Sequence, residues 1–405
     1  MMSSEIPNDV VVVSDTAEGG AAGSTRRMLQ LLFNRNPSLE HWYFGEQAVN
    51  KSPFARSLDN RRKRPIGERV VKNFSKTIAR QMLVKRHQRL FINAVRDRSP
   101  SLINVRNIHS CGLTHRGLLD YALNDVPIVW TLHDCWAVRD YAFKFENSKK
   151  RLTQYAVPEP NKQSALQARR AFFTQRDDVV LVSPSRWLQK EAIEATEGKI
   201  RVEHIPNGIP LSVFRPTDKS LAREMLGLDQ AIPWFGFAST WANSRKGVDI
   251  LIDALQAIQN RKIGLLVWGG NFDVSILPPN IQVRYSGRVH DSAISALLYS
   301  ASDFFVCPSR ADNLPNTCLE SIGCGTAVIG SSVGGIPDIV KPGISGWTFD
   351  SDKPSELKRV IQTALDHFDS GESFSDSCRN LAVEEFDVEK TAARYASLFS
   401  SMIKR

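Results

Sequence analysis

No stretch of the 405-residue chain approaches 18 consecutive apolar residues, so none reads as a membrane span. The opening MMSSEIPNDVVVVSDT lacks the basic segment and long apolar core of a secretory signal, and the expected location is therefore the cytoplasm. Paired cysteine spacing is missing as well. Cys111, Cys135, Cys307, Cys318, Cys324 and Cys378 form no CxxC and no Cys/His set suited to zinc, so they read as buried free thiols of a reducing compartment. Two glycine-rich stretches, EGGAAG and GLLVWGG, match neither GxGxxG nor GxxxxGK[ST], which sets aside a NAD-dependent dehydrogenase.

Hydrophobic residues make up 42% of the chain, enough for a large core, and the length suits two or three domains. The net charge of +9 is unevenly spread. Between Lys51 and Arg98 fifteen Lys and Arg face Asp59, Glu68 and Asp97, a local +12 that leaves the remainder at −3. In this segment Val70, Phe74, Ile78 and Met82 recur near helical spacing, with Val71 and Leu83 beside them and basic residues between. A basic amphipathic helix suits an anionic membrane surface, and a core helix with a basic wet face suits the pattern equally. Nucleic acid is not expected, because the segment has no interleaved aromatics and no reading motif.

Apolar or β-branched runs alternate with helical stretches along the whole chain: VVVVS, SLINVRNIH, VPIVWTLHD, DVVLVSPS and KIRVEHIPNG, then IPWFGFAS, KIGLLVWGG, IQVRYSGR, DFFVCPS and TAVIGSS. That order implies parallel sheets with polar sites at the strand carboxyl ends. Pro206, Pro210 and Pro216, with Asn207-Gly208, separate the two series. The expected fold is α/β: two doubly wound, Rossmann-like domains facing a central cleft, residues 1–212 (with the basic segment 51–98) and 213–385. A final helix, 386–405, is expected to pack back on the first domain.

Several residues have the chemistry of a binding site. Gly19-Gly20 before a helix lets backbone approach an anion, although a plain tight turn explains it too. Arg245-Lys246-Gly247 stands at an expected helix start, where cations oppose the helix dipole. A bound diphosphate, held by the Arg fork and the Lys point charge, accounts for them. His133-Asp134 ends a strand in WTLHDCW, the His suited to donate to a hydroxyl or phosphate and Asp134 to orient it or cap the next helix; His109 is placed similarly. Asp350 and Asp352 form a DxD, but they precede a helix, where turn and cap chemistry suffices, so no metal or other cofactor is expected. In FFVCPSRADNLPNTCLESIGCG, residues 308–315 read as loop and Asn316 as the cap of a helix running through Glu320 to Gly323. Asp312 and Glu320 then offer two acceptors for the hydroxyls of an elongated ligand, with a phosphate-binding helix start between them.

These pieces together resemble the family 4 glycosyltransferases of the GT-B fold over nearly the whole chain. Asp312-x7-Glu320 matches the family's E-x7-E, followed by GCGTAVIGSSVGGIPDIV and GISGWTF. EGGAAG, WTLHDCW, VSPSRWL, IPNGIP and RKG also fall in the family's order. The likeness is greatest to bacterial exopolysaccharide and lipopolysaccharide transferases of the colanic-acid type. It implies a retaining transfer of sugar from a nucleotide-sugar to a glycan or lipid-linked glycan, at the inner face of the cell membrane, with no metal. Donor contacts would come from Gly19, Gly20, Thr240, Arg245, Lys246, Asp312, Asn313, Leu314, Pro315, Asn316 and Glu320. His133, Lys246 and Asp312 would lie nearest the reacting centre, and Glu320 would hold ribose. The first Glu of the signature is Asp here, and Thr240 stands where many relatives have Arg. VRDYAFKFENSKK replaces a loop rich in glycine and cysteine. These departures keep a second possibility, a non-catalytic GT-B scaffold of a polysaccharide assembly complex.

Overall fold

The computed structural model describes residues 9–14, 20–44, 54–59, 76–108, 126–144, 151–152, 162–239, 244–270 and 276–403. They fall into two units: 1–143, 151–205 and 389–405 form the first, and 144–150 with 206–388 the second.

In the first unit, strand β1 (Val10–Ser14) is buried along its whole length. Successive valines disfavour helix at χ1, and a parallel strand covered on both faces has no wet side. Helix α1 (Gly20–Arg35) is followed by β2 (Glu40–Phe44), β3 (Ala55–Asp59), α2 (Lys76–Arg98), β4 (Leu102–Val105) and β5 (Ile128–Thr131). A small pair, β6 (Phe143–Lys144) and β7 (Arg151–Leu152), precedes α3 (Lys162–Thr174), β8 (Val179–Ser183), α4 (Arg186–Ala195) and β9 (Arg201–His204). The seven-stranded sheet runs β3-β2-β1-β4-β5-β8-β9 and is parallel throughout.

Two of these strands, β2 and β3, were not among the expected ones. In β2 a buried His41 stands between Glu40 and Trp42, its Nε2 2.8 Å from Ser14 Oγ, and burial beside Arg106 and Arg26 depresses its pKa to about 3. A polar residue satisfied inside a buried strand hides that strand from a hydrophobicity pattern. β3 is an edge strand of mixed polarity, ARSLD, lying inside the basic segment. The apolar stripe expected there also needs correction. Met82 is 38% exposed, and α2 buries Val84, His87, Phe91, Ala94 and Val95 instead. His87 Nε2 lies 2.8 Å from Asp59 Oδ2, and Arg86 joins the same carboxylate at 3.0 Å, which ties α2 to β3. Val70, Val71 and Phe74 lie outside the described residues.

The second unit opens with α5 (Lys219–Leu226), capped by Asp218 and closed by Gly227 in the left-handed region. There follow β10 (Trp234–Ser239), α6 (Val248–Gln256), β11 (Ile263–Gly269), β12 (Ile281–Tyr285), α7 (Ser292–Ala301), β13 (Phe304–Cys307) and α8 (Asn316–Gly323). β14 (Ala327–Ser331), α9 (Ile336–Ile339), β15 (Gly346–Phe349), α10 (Pro354–Ser370) and α11 (Ser375–Glu385) complete it. Its six-stranded parallel sheet runs β12-β11-β10-β13-β14-β15. Tyr299, edge-on to Trp268 at 5.0 Å and to Phe305 at 5.2 Å, lies in its core.

The last helix, α12 (Val388–Ile403), places Ala392, Tyr395, Ala396, Leu398, Phe399 and Met402 in one hydrophobic cluster with Val10, Val12, Leu29 and Leu102 of the first unit. Large apolar side chains buried this way contribute roughly 1.5–3 kcal/mol each. Among the described residues, Cys135, Cys307, Cys318, Cys324 and Cys378 are buried and free; Cys111 lies outside them. No helix among the described residues is long and apolar enough to cross a membrane.

Candidate functional site

The strand order of the second unit decides which loops meet. From β10 the chain winds outward through β11 to β12, then returns to place β13 on the other side of β10. The carboxyl ends of β10 and β13 therefore lie side by side at a topological switch point, where a doubly wound sheet opens a crevice for ligand.

After β10 the chain enters a 3₁₀ turn, Ser244–Lys246, and Gly247 takes φ +66° before α6 begins. Only glycine fits there, since a Cβ would sit 1.8 Å from the Pro308 carbonyl oxygen. The cation pair thus stands outside the helix, correcting its expected place at the helix start. Gly247 is the N-cap, and the first turn carries Asp249, the sign that the dipole favours.

After β13 the chain runs through Pro308–Pro315 to α8. Lys246 Nζ lies 2.6 Å from Asp312 Oδ2, and Arg245 Nη1 lies 3.5 Å from Oδ1 and donates to the Ala311 carbonyl at 3.0 Å. The Ser309 hydroxyl and the Asn313 amide also donate to Asp312, at 3.4 and 3.1 Å. Burial opposes ionisation of this carboxyl, but the charges of Lys246 and Arg245 outweigh burial and hold its pKa below the usual carboxylate value. In the structure, then, the negative group that the two cations hold is Asp312.

Helix α8 departs from expectation at its first residue. Its N-cap is Pro315, which makes no side-chain cap bond, and Asn316 is already helical. The Asn316 side chain accepts instead from Asn207 Nδ2 at 3.4 Å. Leu314 is buried in the core cluster, so its side chain serves packing. Glu320, one turn into α8, accepts from the Tyr299 hydroxyl at 3.1 Å. Burial and the nearby Glu320 charge push the Tyr299 pKa well up, so the phenol remains a proton donor. The strand order thus brings Arg245, Lys246, Asp312 and Asn313 together, with Asn316 and Glu320 along one helix. Sequence reasoning missed Tyr299 and Asn207, which lie 21 and 109 residues from their partners, and passed over Ser309 as an ordinary small polar residue of the loop.

The first unit has its own switch point, between β1 and β4. Gly20 opens α1; Gly19, His109 and Thr240 lie outside the described residues. His133 follows β5 and lines a small, open depression with Arg106, Asn107, Trp130 and Trp136. Asp134 accepts from the Trp136 amide at 2.9 Å, capping a 3₁₀ turn. Arg106, in the same lining, is almost fully buried, donating to Asn104 at 2.9 Å and Thr25 at 3.1 Å with its guanidinium 5.0 Å over the Tyr395 ring. In the DxD, Asp350 accepts from the Asp352 amide at 3.0 Å and pairs with Lys353 at 3.0 Å, the turn chemistry expected of it.

Residues 51–213 match the family described as Glycosyltransferase Family 4, and residues 232–367 match that described as Glycosyl transferases group 1. The chain is 31% identical over 177 residues to a D-inositol 3-phosphate glycosyltransferase of Segniliparus rotundus, covering 41% of this chain and 39% of that one. The match thus spans about two fifths of that relative's length. Among solved structures, a sucrose-phosphate synthase from Thermosynechococcus elongatus has a TM-score of 0.74 at 18% identity, covering 98% of this chain and 100% of that one. Anabaena HepE, solved in complex with UDP, has a TM-score of 0.69 at 18% identity, over 97% and 100%. The two parallel sheets and these likenesses define a two-domain, Rossmann-like GT-B fold. Within it, the chain belongs to glycosyltransferase family 4.

Proposed function

We propose that the chain is a retaining glycosyltransferase that moves a sugar from a nucleotide-sugar to a glycan or lipid-linked glycan in bacterial surface polysaccharide synthesis. The observation that carries this is the convergence of Arg245 and Lys246 on Asp312 at the switch point, with Glu320 eight residues on. A diphosphate offers more acceptor oxygens than the Asp312 carboxylate, so it can share these cations or take them over. Glu320, oriented by Tyr299, suits the ribose hydroxyls; Asp312 and Asn313 suit the hydroxyls of the sugar.

In the reaction the anomeric carbon–phosphate oxygen bond breaks and a bond to the acceptor oxygen forms on the same face, while the acceptor's proton passes to the leaving phosphate. The protein then contributes position and positive charge, with Lys246 and Arg245 stabilising the charge that develops on the leaving group. The acceptor falls to the first unit, where His133 lines the depression. The basic segment 51–98 supplies a surface for anionic lipid.

A binding screen of UDP-, GDP- and ADP-sugars, followed by incubation with acceptor, tests the assignment. One donor class is expected to bind and to be turned over. Absence of binding and hydrolysis across all of them would leave the non-catalytic scaffold as the better account.

A further inference from the structure

The loops that carry the cations and Asp312 are joined by a residue that takes no part in the Lys246–Asp312 pair. Arg310 Nη1 donates to the Ser244 carbonyl at 2.8 Å and to Asp249 Oδ1 at 2.7 Å, while Nη2 donates to Asp249 Oδ2 at 2.6 Å. Its backbone amide donates to the Arg245 carbonyl at 2.8 Å. Arg245 returns the contact, donating to the carbonyl of Ala311. One arginine therefore grips the 3₁₀ turn at two carbonyls and the first turn of α6 at Asp249.

We infer that Arg310 is a positioning residue for diphosphate binding, an inference that rests on the donor site proposed above. Lys246 is a compact charge on a flexible stem, and only the backbone of residues 244–247 fixes where that stem begins. Misplacing such a group by about 1 Å can cost as much as a hundredfold in rate. Arg310 has a second effect through charge. Asp249 stands in the first turn of α6, directly after the cation turn. The planar fork of Arg310 occupies both carboxylate oxygens, which keeps Asp249 from drawing the cations off the phosphate site.

The test compares binding of nucleoside diphosphates (UDP, GDP and ADP) with binding of uridine, guanosine and adenosine, by calorimetry, in the wild type, Arg310→Ala and Arg310→Lys. Arg310→Ala is expected to weaken the preferred diphosphate about tenfold and leave its nucleoside within about twofold, because only the phosphate end depends on the cation turn. Arg310→Lys, which can keep one bond but not the fork, is expected to lie between. Undiminished diphosphate binding in Arg310→Ala overturns the positioning role alone. Equal loss of diphosphate and nucleoside also overturns it, since a merely structural residue would weaken both. A wild type that binds none of the diphosphates removes the donor site, and the positioning role with it.

Discussion

Lys246 Nζ and Asp312 Oδ2 stand 2.6 Å apart, joining the loop after β10 to the loop after β13. Sixty-six residues separate them in the chain, and the strand order alone makes them neighbours. The pair is partly covered, with side-chain exposures of 23% and 12%, so each charge depends on the other more than a surface pair would. Lys246→Ala is expected to lower kcat/KM by roughly 100- to 1000-fold, the loss of a principal charge stabilising the leaving phosphate. The fold should survive, with a stability cost of about 1–3 kcal/mol for leaving the Asp312 carboxylate short of a partner. Turnover assays beside circular dichroism check this, and undiminished turnover would remove Lys246 from the site.

Asp312 makes the same relationship visible in pH. Its folded pKa lies below the unfolded value, so the stabilisation it confers is complete above the ordinary carboxylate pKa of about 3.9 and disappears as pH falls through the lowered folded value. Asp312→Asn keeps the size of the side chain and removes the charge. At about pH 7 the variant should melt below the wild type, and the difference should narrow progressively as pH falls below about 3.9. A melting difference that stays constant across this range would mean that the carboxylate contributes nothing through its charge.

Tyr299 reaches Glu320 from the hydrophobic core, and its phenol is the only part of it the site uses. Tyr299→Phe deletes one hydroxyl and leaves the aromatic packing in place. The expected cost is about 1 kcal/mol of stability together with a several-fold rise in donor KM at nearly constant kcat, because ribose is held equally in ground and transition states. Thermal melts and steady-state kinetics separate the two effects. A fall in kcat at unchanged KM would assign Tyr299 to the chemical step instead.

Gly334 has φ +55°, and a Cβ there would stand 1.7 Å from the Asp312 carbonyl oxygen. The clash is with backbone, which cannot swing aside as a side chain would. Gly334→Ala is therefore expected to exceed the 1–3 kcal/mol or so of left-handed strain and to displace the Asp312 loop. Donor binding should fall more steeply than in Lys246→Ala. A variant with normal melting and normal binding would show that the loop yields at little cost.

Much of this arrangement was legible in the sequence because it rests on local signals. Runs such as VVVVS and FFVC mark buried parallel strands, and glycines before polar residues mark the turns at their ends. β2 escaped because His41, satisfied by Ser14, breaks its apolar pattern. The place of the Arg245-Lys246 pair outside α6 escaped for a different reason: only the left-handed Gly247 shows where the 3₁₀ turn stops and the helix starts. Asn316 has the composition of a cap, yet Pro315 fills that position. The partners Tyr299 and Asn207 are set by strand order across 21 and 109 residues, a relationship that no local pattern carries.

The basic segment offers a measurement independent of catalysis. Its charge of +12 lies within 48 residues, while the rest of the chain is slightly acidic. In α2 the inner face is occupied by Val84, His87, Phe91, Ala94 and Val95, which leaves Lys85, Arg89 and Arg96 on other faces of the helix. Attraction of such residues to an anionic surface is worth about 1 kcal/mol per cation near it and weakens with added salt, as the screening length shortens from about 10 Å at 0.1 M to about 3 Å at 1 M. The chain is therefore expected to sediment with phosphatidylglycerol vesicles at low salt, to be released as salt rises, and to ignore phosphatidylcholine vesicles. Replacing Lys85, Arg89 and Arg96 together by Gln should reduce the bound fraction without changing nucleoside diphosphate affinity. Partition that does not respond to salt, or none at all, would make the segment an ordinary wet helix face, its charge serving solubility alone.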